Sequence, residues 1–300
     1  MKRLLALLLA VLTICSLASC SILLNSDEQP SEKPSQEEKL PAFDFTEVTV
    51  MDNDQCTVKV IGIENNTLFG GITLKVQVEN KSAEKDYTFD LDKAFINGLQ
   101  YDLYMSVDVA PGKKAIEEID VFGSYLERMK SEGCEQLSDI ELCFAVHEMD
   151  NFDDEHMMSG SAHVYPYGKD QAMAFDRPSL SSDVVLVDND YLTILYIGDK
   201  TDSDREYGEY TVELFIVSKS DKDLKVDLSE EYINDFLIPS YADISIAAGR
   251  SRYASVSWSL RALDDAGVSE VSSIECIFGV QEDDFWAYED LATEKVTITP

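Results

Sequence analysis

Between residues 72 and 80 apolar and polar side chains alternate, with Leu74, Val76 and Val78 set against Thr73, Lys75 and Gln77. A period of two places one set on each face of an extended chain, so this segment is predicted as a half-buried strand. Val212, Leu214 and Ile216 repeat the pattern. Asn97-Gly98 separates two apolar runs, and both residues accept positive φ, which predicts a tight hairpin. Pro111-Gly112 suits the centre of a type II turn, with another strand running on through Phe122. One helix follows: Ser124 and Glu127 have capping-box spacing, and Gly133 fits the position just past a helix end. Ala262 to Gly267 reads as a shorter version of it. The last strands of the two halves fall at 138–147 with 161–166, and at 272–281 with 294–299. Seven or eight short strands in about 120 residues, with frequent turns and one short helix, predict an immunoglobulin-like β-sandwich. A small β-barrel is the runner-up. The Cys…Trp…Cys spacing of antibody domains is missing.

The same pattern is written twice. Met51-Asp52-Asn53-Asp54-Gln55-Cys56-Thr57-Val58-Lys59-Val60-Ile61-Gly62 aligns with Val187-Asp188-Asn189-Asp190-Tyr191-Leu192-Thr193-Ile194-Leu195-Tyr196-Ile197-Gly198, and six of the twelve positions are identical. Asn80-Lys81-Ser82 matches Ser218-Lys219-Ser220, Phe95-Ile96-Asn97 matches Tyr232-Ile233-Asn234, and Pro111-Gly112-Lys113 matches Ala248-Gly249-Arg250. Ile140-Glu141-Leu142-Cys143-Phe144 matches Ile274-Glu275-Cys276-Ile277-Phe278. The order is kept throughout and the gaps are small. The copies are placed at 46–166 and 183–300, joined by a polar stretch at 167–182.

The N-terminus reads as an address. Lys2 and Arg3 precede an apolar run, residues 4–16, which is shorter than the roughly 20 residues a membrane span needs. Leu17-Ala18-Ser19-Cys20 follows, and this resembles the lipobox of bacterial lipoproteins. The resemblance implies removal of residues 1–19, acylation of Cys20 and a lipid-anchored protein on the extracytoplasmic face of the cell membrane. Residues 20–45 then read as a tether. They are rich in Ser, Glu, Gln, Lys and Pro, too polar to offset the entropy of ordering. About twenty such residues reach on the order of 25 Å. With the Asn-Lys-Ser strand end, the Ile-Asn-Gly hairpin and the Pro-Gly-Lys turn, the chain resembles the tandem immunoglobulin-like domains of lipoproteins from clostridia-type Gram-positive bacteria. That resemblance implies fold and location; it implies no activity.

Composition narrows the partners. The 300 residues are 45% hydrophobic and 27% charged, an ordinary globular balance that excludes a mainly disordered or multi-span chain. The charge is far from balanced: Lys+Arg 24 against Asp+Glu 58, a formal net charge of −34. Loss of Lys2 and Arg3 with the signal leaves 22 cationic residues against 58, a net −36. Nucleic acid is excluded as a partner on that ground, because phosphate binding needs a basic patch.

The candidate chemistry is sparse. Cys56, Cys134, Cys143 and Cys276 each face a branched apolar residue in the other copy, the behaviour of a small buried hydrophobe. Cys56–Cys134 and Cys56–Cys143 remain the bridge options that spacing allows. Cys143 and His147 share a strand face with His163 on a neighbouring strand, a set suited to a soft metal. Asp52, Asp54, Asp188 and Asp190 are the candidate calcium ligands, since carboxylates on adjacent loops supply the oxygens calcium takes. The competing reading is that Asp and Asn favour turns and cap their own loop amides. No other cofactor is expected. Trp258 falls in an alternating strand and is read as core. Phe285, Trp286 and Tyr288 fall at a hairpin tip, where exposed aromatics stack on sugars or anchor an interface. No nucleophile elbow, zinc-protease helix, phosphate loop or dinucleotide fingerprint is present. Two compact sandwiches leave little chain for a cleft. The expectation is therefore a non-catalytic surface protein that contacts an envelope protein or glycan. The alternatives are a carbohydrate- or wall-binding module using the Trp286 loop, and an envelope hydrolase.

Overall fold

The computed structural model describes residues 42–66, 70–149, 157–204, 207–284 and 289–300. Cys20 and the tether as far as residue 41, His156, and the aromatic tip Phe285, Trp286 and Tyr288 lie outside the described residues; the end of the stretch read as tether is ordered against the first half, where Phe43 and Phe45 pack on its core. The protein is mainly β, with its sheets in sandwich arrangements. The described residues fall in one compact unit.

The first half begins with β1 (Val48–Asp52), β2 (Cys56–Asn65) and β3 (Ile72–Asn80). β4 (Tyr87–Ile96), β5 (Leu99–Tyr101), β6 (Ser106–Val109) and β7 (Lys114–Val121) follow. Then come α1 (Gly123–Ser131), β8 (Ile140–Glu148) and β9 (Met158–Val164). One sheet has the order β1-β2-β3-β7, and the other β5-β4-β8-β9 with β6 also on β4. The chain changes sheet between β3 and β4, between β6 and β7, and again across α1, the immunoglobulin-type arrangement in which the chain passes back and forth between two packed layers. The second half repeats it. β10 (Val184–Asp188), β11 (Leu192–Thr201), β12 (Glu209–Ser218) and β16 (Ser251–Ser259) form the first layer. β13 (Leu224–Ile233), β14 (Phe236–Leu237), β15 (Ile244–Ile246), β17 (Ile274–Glu282) and β18 (Ala292–Ile298) form the second, and α2 (Leu260–Asp265) bridges the layers. Each half has its own buried core. Leu74, Val76, Phe89, Ile119 and Phe144 centre one; Leu214, Ile216, Val226, Trp258 and Phe278 centre the other. Burial of that apolar surface, at roughly 25 cal/mol per Å², is the main force holding each sandwich closed.

Five of the six identities at the start of each copy have local causes. Asp52 and Asp188 accept hydrogen bonds from Thr57 and Thr193 across the turn at 3.0 and 2.8 Å. Asn53 Oδ1 accepts from the N–H of Gln55 and Cys56, and Asn189 Oδ1 from Tyr191 and Leu192. The shared Ile-Gly marks a bulge, where the register slips between Val60 and Gly62 and between Tyr196 and Gly198. The Asn97-Gly98 hairpin forms with φ of 50° and 89°, as the sequence predicts. The capping box does not form. α1 starts at Gly123 behind Phe122, and no side chain caps it.

The halves are joined through backbone. β16 pairs in parallel with β5, Ser251 opposite Leu99 and Arg252 opposite Gln100. The first layer of the second half thereby continues the second layer of the first half, in the order β10-β11-β12-β16-β5-β4-β8-β9.

Candidate functional site at the junction of the halves

The two Asp-Asn-Asp turns spend their charge internally. Lys81 Nζ lies 2.5 Å from Asp52 and 2.7 Å from the Asn53 carbonyl; Lys219 repeats this on Asp188 and Asn189 at 2.5 and 2.7 Å. The lysine hydrogen bonds hold both carboxyls below the ordinary aspartate range, with the threonine hydroxyls adding to them. An ammonium thus occupies the place a bound cation would take, while Asp54 and Asp190 face solvent. Among the described residues no group of three or more His, Cys, Asp or Glu is arranged to hold a metal ion. The register also separates the soft-metal set. His163 pairs opposite Glu141, and Cys143 opposite Ser161. His147 Nε2 is 3.0 Å from Asp90, and His163 Nδ1 is 2.7 Å from Asp139. Cys56, Cys134, Cys143 and Cys276 are free thiols, all but Cys143 buried. Burial raises the Cys56 and Cys276 thiols, the latter to about 12.

The polar chemistry gathers instead where the halves meet. α1 supplies Arg128 and, at its C-cap, Glu132; at i,i+4 spacing the two share a helix face and pair. Arg128 Nη1 reaches Glu213 on β12 at 2.7 Å, and its guanidinium lies over the Tyr253 ring at 5.0 Å. Arg177, from the stretch read as a polar connection, is nearly fully buried. It makes a two-pronged contact with Asp183 at 2.9 Å on each prong, meets Glu132 at 2.8 Å and covers Phe215 at 5.1 Å. The hydroxyl of Tyr253 donates to Glu132. Burial raises the Tyr253 phenol, and the Glu132 hydrogen bond raises it further. Burial by itself would raise Glu213, but Arg128 and Lys200 outweigh it and leave the carboxyl below its ordinary range. Arg250 meets Glu141 at 2.8 Å and lies over Phe95 at 4.2 Å; Arg252 is ion-paired with Asp102. Planar guanidinium suits such paired and stacked positions in a way ammonium does not.

Beside this network the junction leaves a groove of about 410 Å³, lined by Tyr101, Tyr125, Arg128, Lys200, Glu213 and Arg252 among others. A cleft therefore exists without spare chain, because two packed sandwiches make one between them. Its size falls in the range of small-molecule sites. Most of its charges are paired, Glu213 being shared by Arg128 and Lys200 and Arg252 meeting Asp102, while Asp243 makes no ion pair among the described residues. The hydroxyls on its wall, Ser124 and Ser255, have no hydrogen bond to a histidine or carboxylate among the described residues. Nucleophilic catalysis needs such a pair. The Tyr101 hydroxyl, buried behind the groove, makes no hydrogen bond in the structure.

No family model matches the chain, and no curated protein matches it in sequence. Among solved structures, red sea bream transglutaminase aligns over 83% of this chain at 10% identity and a TM-score of 0.25. The alignment takes in 31% of the transglutaminase, so this chain spans about a third of that protein's length. A 1.5-MDa bacterial ice-binding adhesin, described for host cell surface retention, aligns over 83% of this chain and 74% of the adhesin chain, at 13% identity and a TM-score of 0.20.

Proposed function

We propose that this protein is a lipid-anchored, extracytoplasmic binding protein without catalytic activity, whose two immunoglobulin-like sandwiches act as one rigid body that presents its surface to an envelope protein. The observation that carries this reading is the junction. Most of the groove's ionic side chains are spent on one another, so the polar chemistry of the junction works to hold the two halves in register. The lipobox at Leu17–Cys20 supports the anchoring and the extracytoplasmic location. The net charge of −34 opposes unaided adhesion to anionic lipid or wall polymer, which favours a specific partner near the membrane.

Two measurements test it. In a Gram-positive host the full chain is expected in the detergent phase on Triton X-114 partition, and its Cys20→Ala variant in the aqueous phase. Equal partition of the two overturns the anchor. The chain from Ala42 onward is expected to remain in the supernatant with purified, protein-free sacculi, with and without calcium. Pelleting with the sacculi would instead support the glycan-binding reading, and Trp286→Ala would then be the first variant to make.

A further inference from the structure

The contact that joins the halves has a second, unmade copy on the outside of the molecule. At the junction, Arg250 stands just before β16, binds Glu141 at 2.8 Å and covers Phe95 at 4.2 Å. Phe95 and Glu141 are opposite one another in the β4–β8 register. Their repeat counterparts, Tyr232 and Glu275, are opposite one another in the β13–β17 register. The counterpart of Arg250 is Lys113, in an equivalent turn. Gly112 and Gly249 have φ of 65° and 62°, and the Lys113 and Arg250 N–H groups bond Ala110 and Ala247 at 3.1 Å each. The Asn80 and Ser218 N–H groups close the other side, donating to Lys113 and Arg250 carbonyls. Aromatic, acidic and basic character is thus kept at all three positions.

Tyr232 and Glu275 stand on β13 and β17 beside the open strand β14, with Glu275 meeting Lys295 at 3.3 Å, and Lys113 leads into β7, which is open on one side. β14 pairs only with β13, and β7 only with β3. Where Phe95 is 4% exposed under Arg250, Tyr232 is 39% exposed. Leu99 and Gln100 on β5 are covered by β16; their counterparts Phe236 and Leu237 on β14 are 49% and 66% exposed. Ile116 on β7 is 60% exposed. An open strand edge carrying large apolar side chains is a surface that pairs with another chain unless something blunts it. On the counterpart edge the covering element is β16, and the one open strand of β16 type in the molecule is β7.

We propose that the β14 edge of one molecule docks on the β7 edge of a second copy, repeating between chains the parallel contact that β5 and β16 make within one. Leu237 then faces Ala115, Phe236 faces Lys114, and Lys113 reaches Glu275 and covers Tyr232. The edges that meet are different ones, so the contact is head-to-tail and propagates as an open series. The Arg128–Glu213 and Arg177–Glu132 pairs are not repeated, since α2 has six residues against nine in α1. The interface is correspondingly small, and small interfaces are transient. The association is independent of the lipid anchor.

The test uses the chain from Ala42 onward, which contains both cores whole. Lys113→Cys and Glu275→Cys are prepared separately, mixed, and treated with a short bis-maleimide, with the unsubstituted protein as control for the native thiols. The expected result is a cross-linked pair in the mixture alone, reduced at least tenfold when Leu237→Asp is added to the Glu275→Cys copy. Sedimentation of the unsubstituted protein is expected to show a coefficient that keeps rising with concentration, without a plateau at a dimer. Retained thermal melts of all variants exclude misfolding as the cause. Absence of the mixed product together with a constant coefficient overturns the proposal. So does a closed dimer in which Leu237→Cys links only to itself, which would mean β14 pairing with β14.

Discussion

Asn97 does two jobs with one side chain. Its backbone takes the positive φ of the hairpin. Its Oδ1 accepts from the Ser138 N–H and hydroxyl and the Asp139 N–H, and its Nδ2 donates to the Gln136 carbonyl at 2.8 Å. Asn234 makes the same set with Ser272, Ser273 and the Glu270 carbonyl. The first is fully buried and the second half-buried. Unmet buried polar groups lose their full solvation, so Asn97→Ala is expected to cost roughly 2–4 kcal/mol and Asn234→Ala roughly 1–2 kcal/mol. Urea denaturation measures both, and equal losses would refute the burial argument. The turn was legible from the Asn-Gly pair; the clamp was not, because its partners arrive some forty residues later. The misread capping box is the converse case. Ser124 and Glu127 have the spacing, but the strand leads into the helix through Phe122 and leaves Ser124 inside it.

At the level of elements, β3 and β12 show what a repeat can hide. The inward residues, Leu74, Val76 and Val78 in one and Val212, Leu214 and Ile216 in the other, are buried in both. The outward face differs. Thr73 and Thr211 are buried on the outer face of both strands, but beyond Thr73 β3 alternates, whereas Phe215 on the outer face of β12 is also buried, because it packs on the first half. Phe215 is 6% exposed and stands where the first copy has Gln77. Phe215→Ala is expected to cost roughly 3–5 kcal/mol, as for an aromatic removed from a core. Gln77→Ala should lie within about 0.5 kcal/mol of the parent. Thermal and urea melts of the pair decide it, and similar costs would place β12 at a solvent face. Alternation told the inner face correctly. The one available hint of the second buried face was an aromatic at outward parity, and parity alone gives it nothing to pack on.

For the whole molecule, four of the seven arginines, Arg128, Arg177, Arg250 and Arg252, meet at the junction. The net charge was plain in the sequence, but the concentration of guanidinium in one place was not, since these residues come from a helix, a connection and a strand. The junction makes stability depend on acid. Arg177 holds Asp183 below its ordinary range; burial opposes the same shift at Glu213 and Asp223, where Arg128 and Lys93 prevail. Carboxyls depressed in the folded state bind fewer protons there than when unfolded, so their contribution is complete above the ordinary carboxylate range. It is lost as pH falls through that range and on towards the folded values. The melting temperature should be level from pH 7 to about 5 and fall below about pH 4.5, with a shallower fall in Glu213→Gln. A profile flat to pH 3 would refute this.

Cys56 in the first core, where Cys134 is buried as well, and Cys276 in the second are buried thiols that burial holds protonated. Their environments suppress the thiolate, the form that alkylating reagents attack. Each half therefore carries its own clock, silent while the sandwich is shut and started by its opening. Because one sheet runs through both halves, the two clocks should keep the same time.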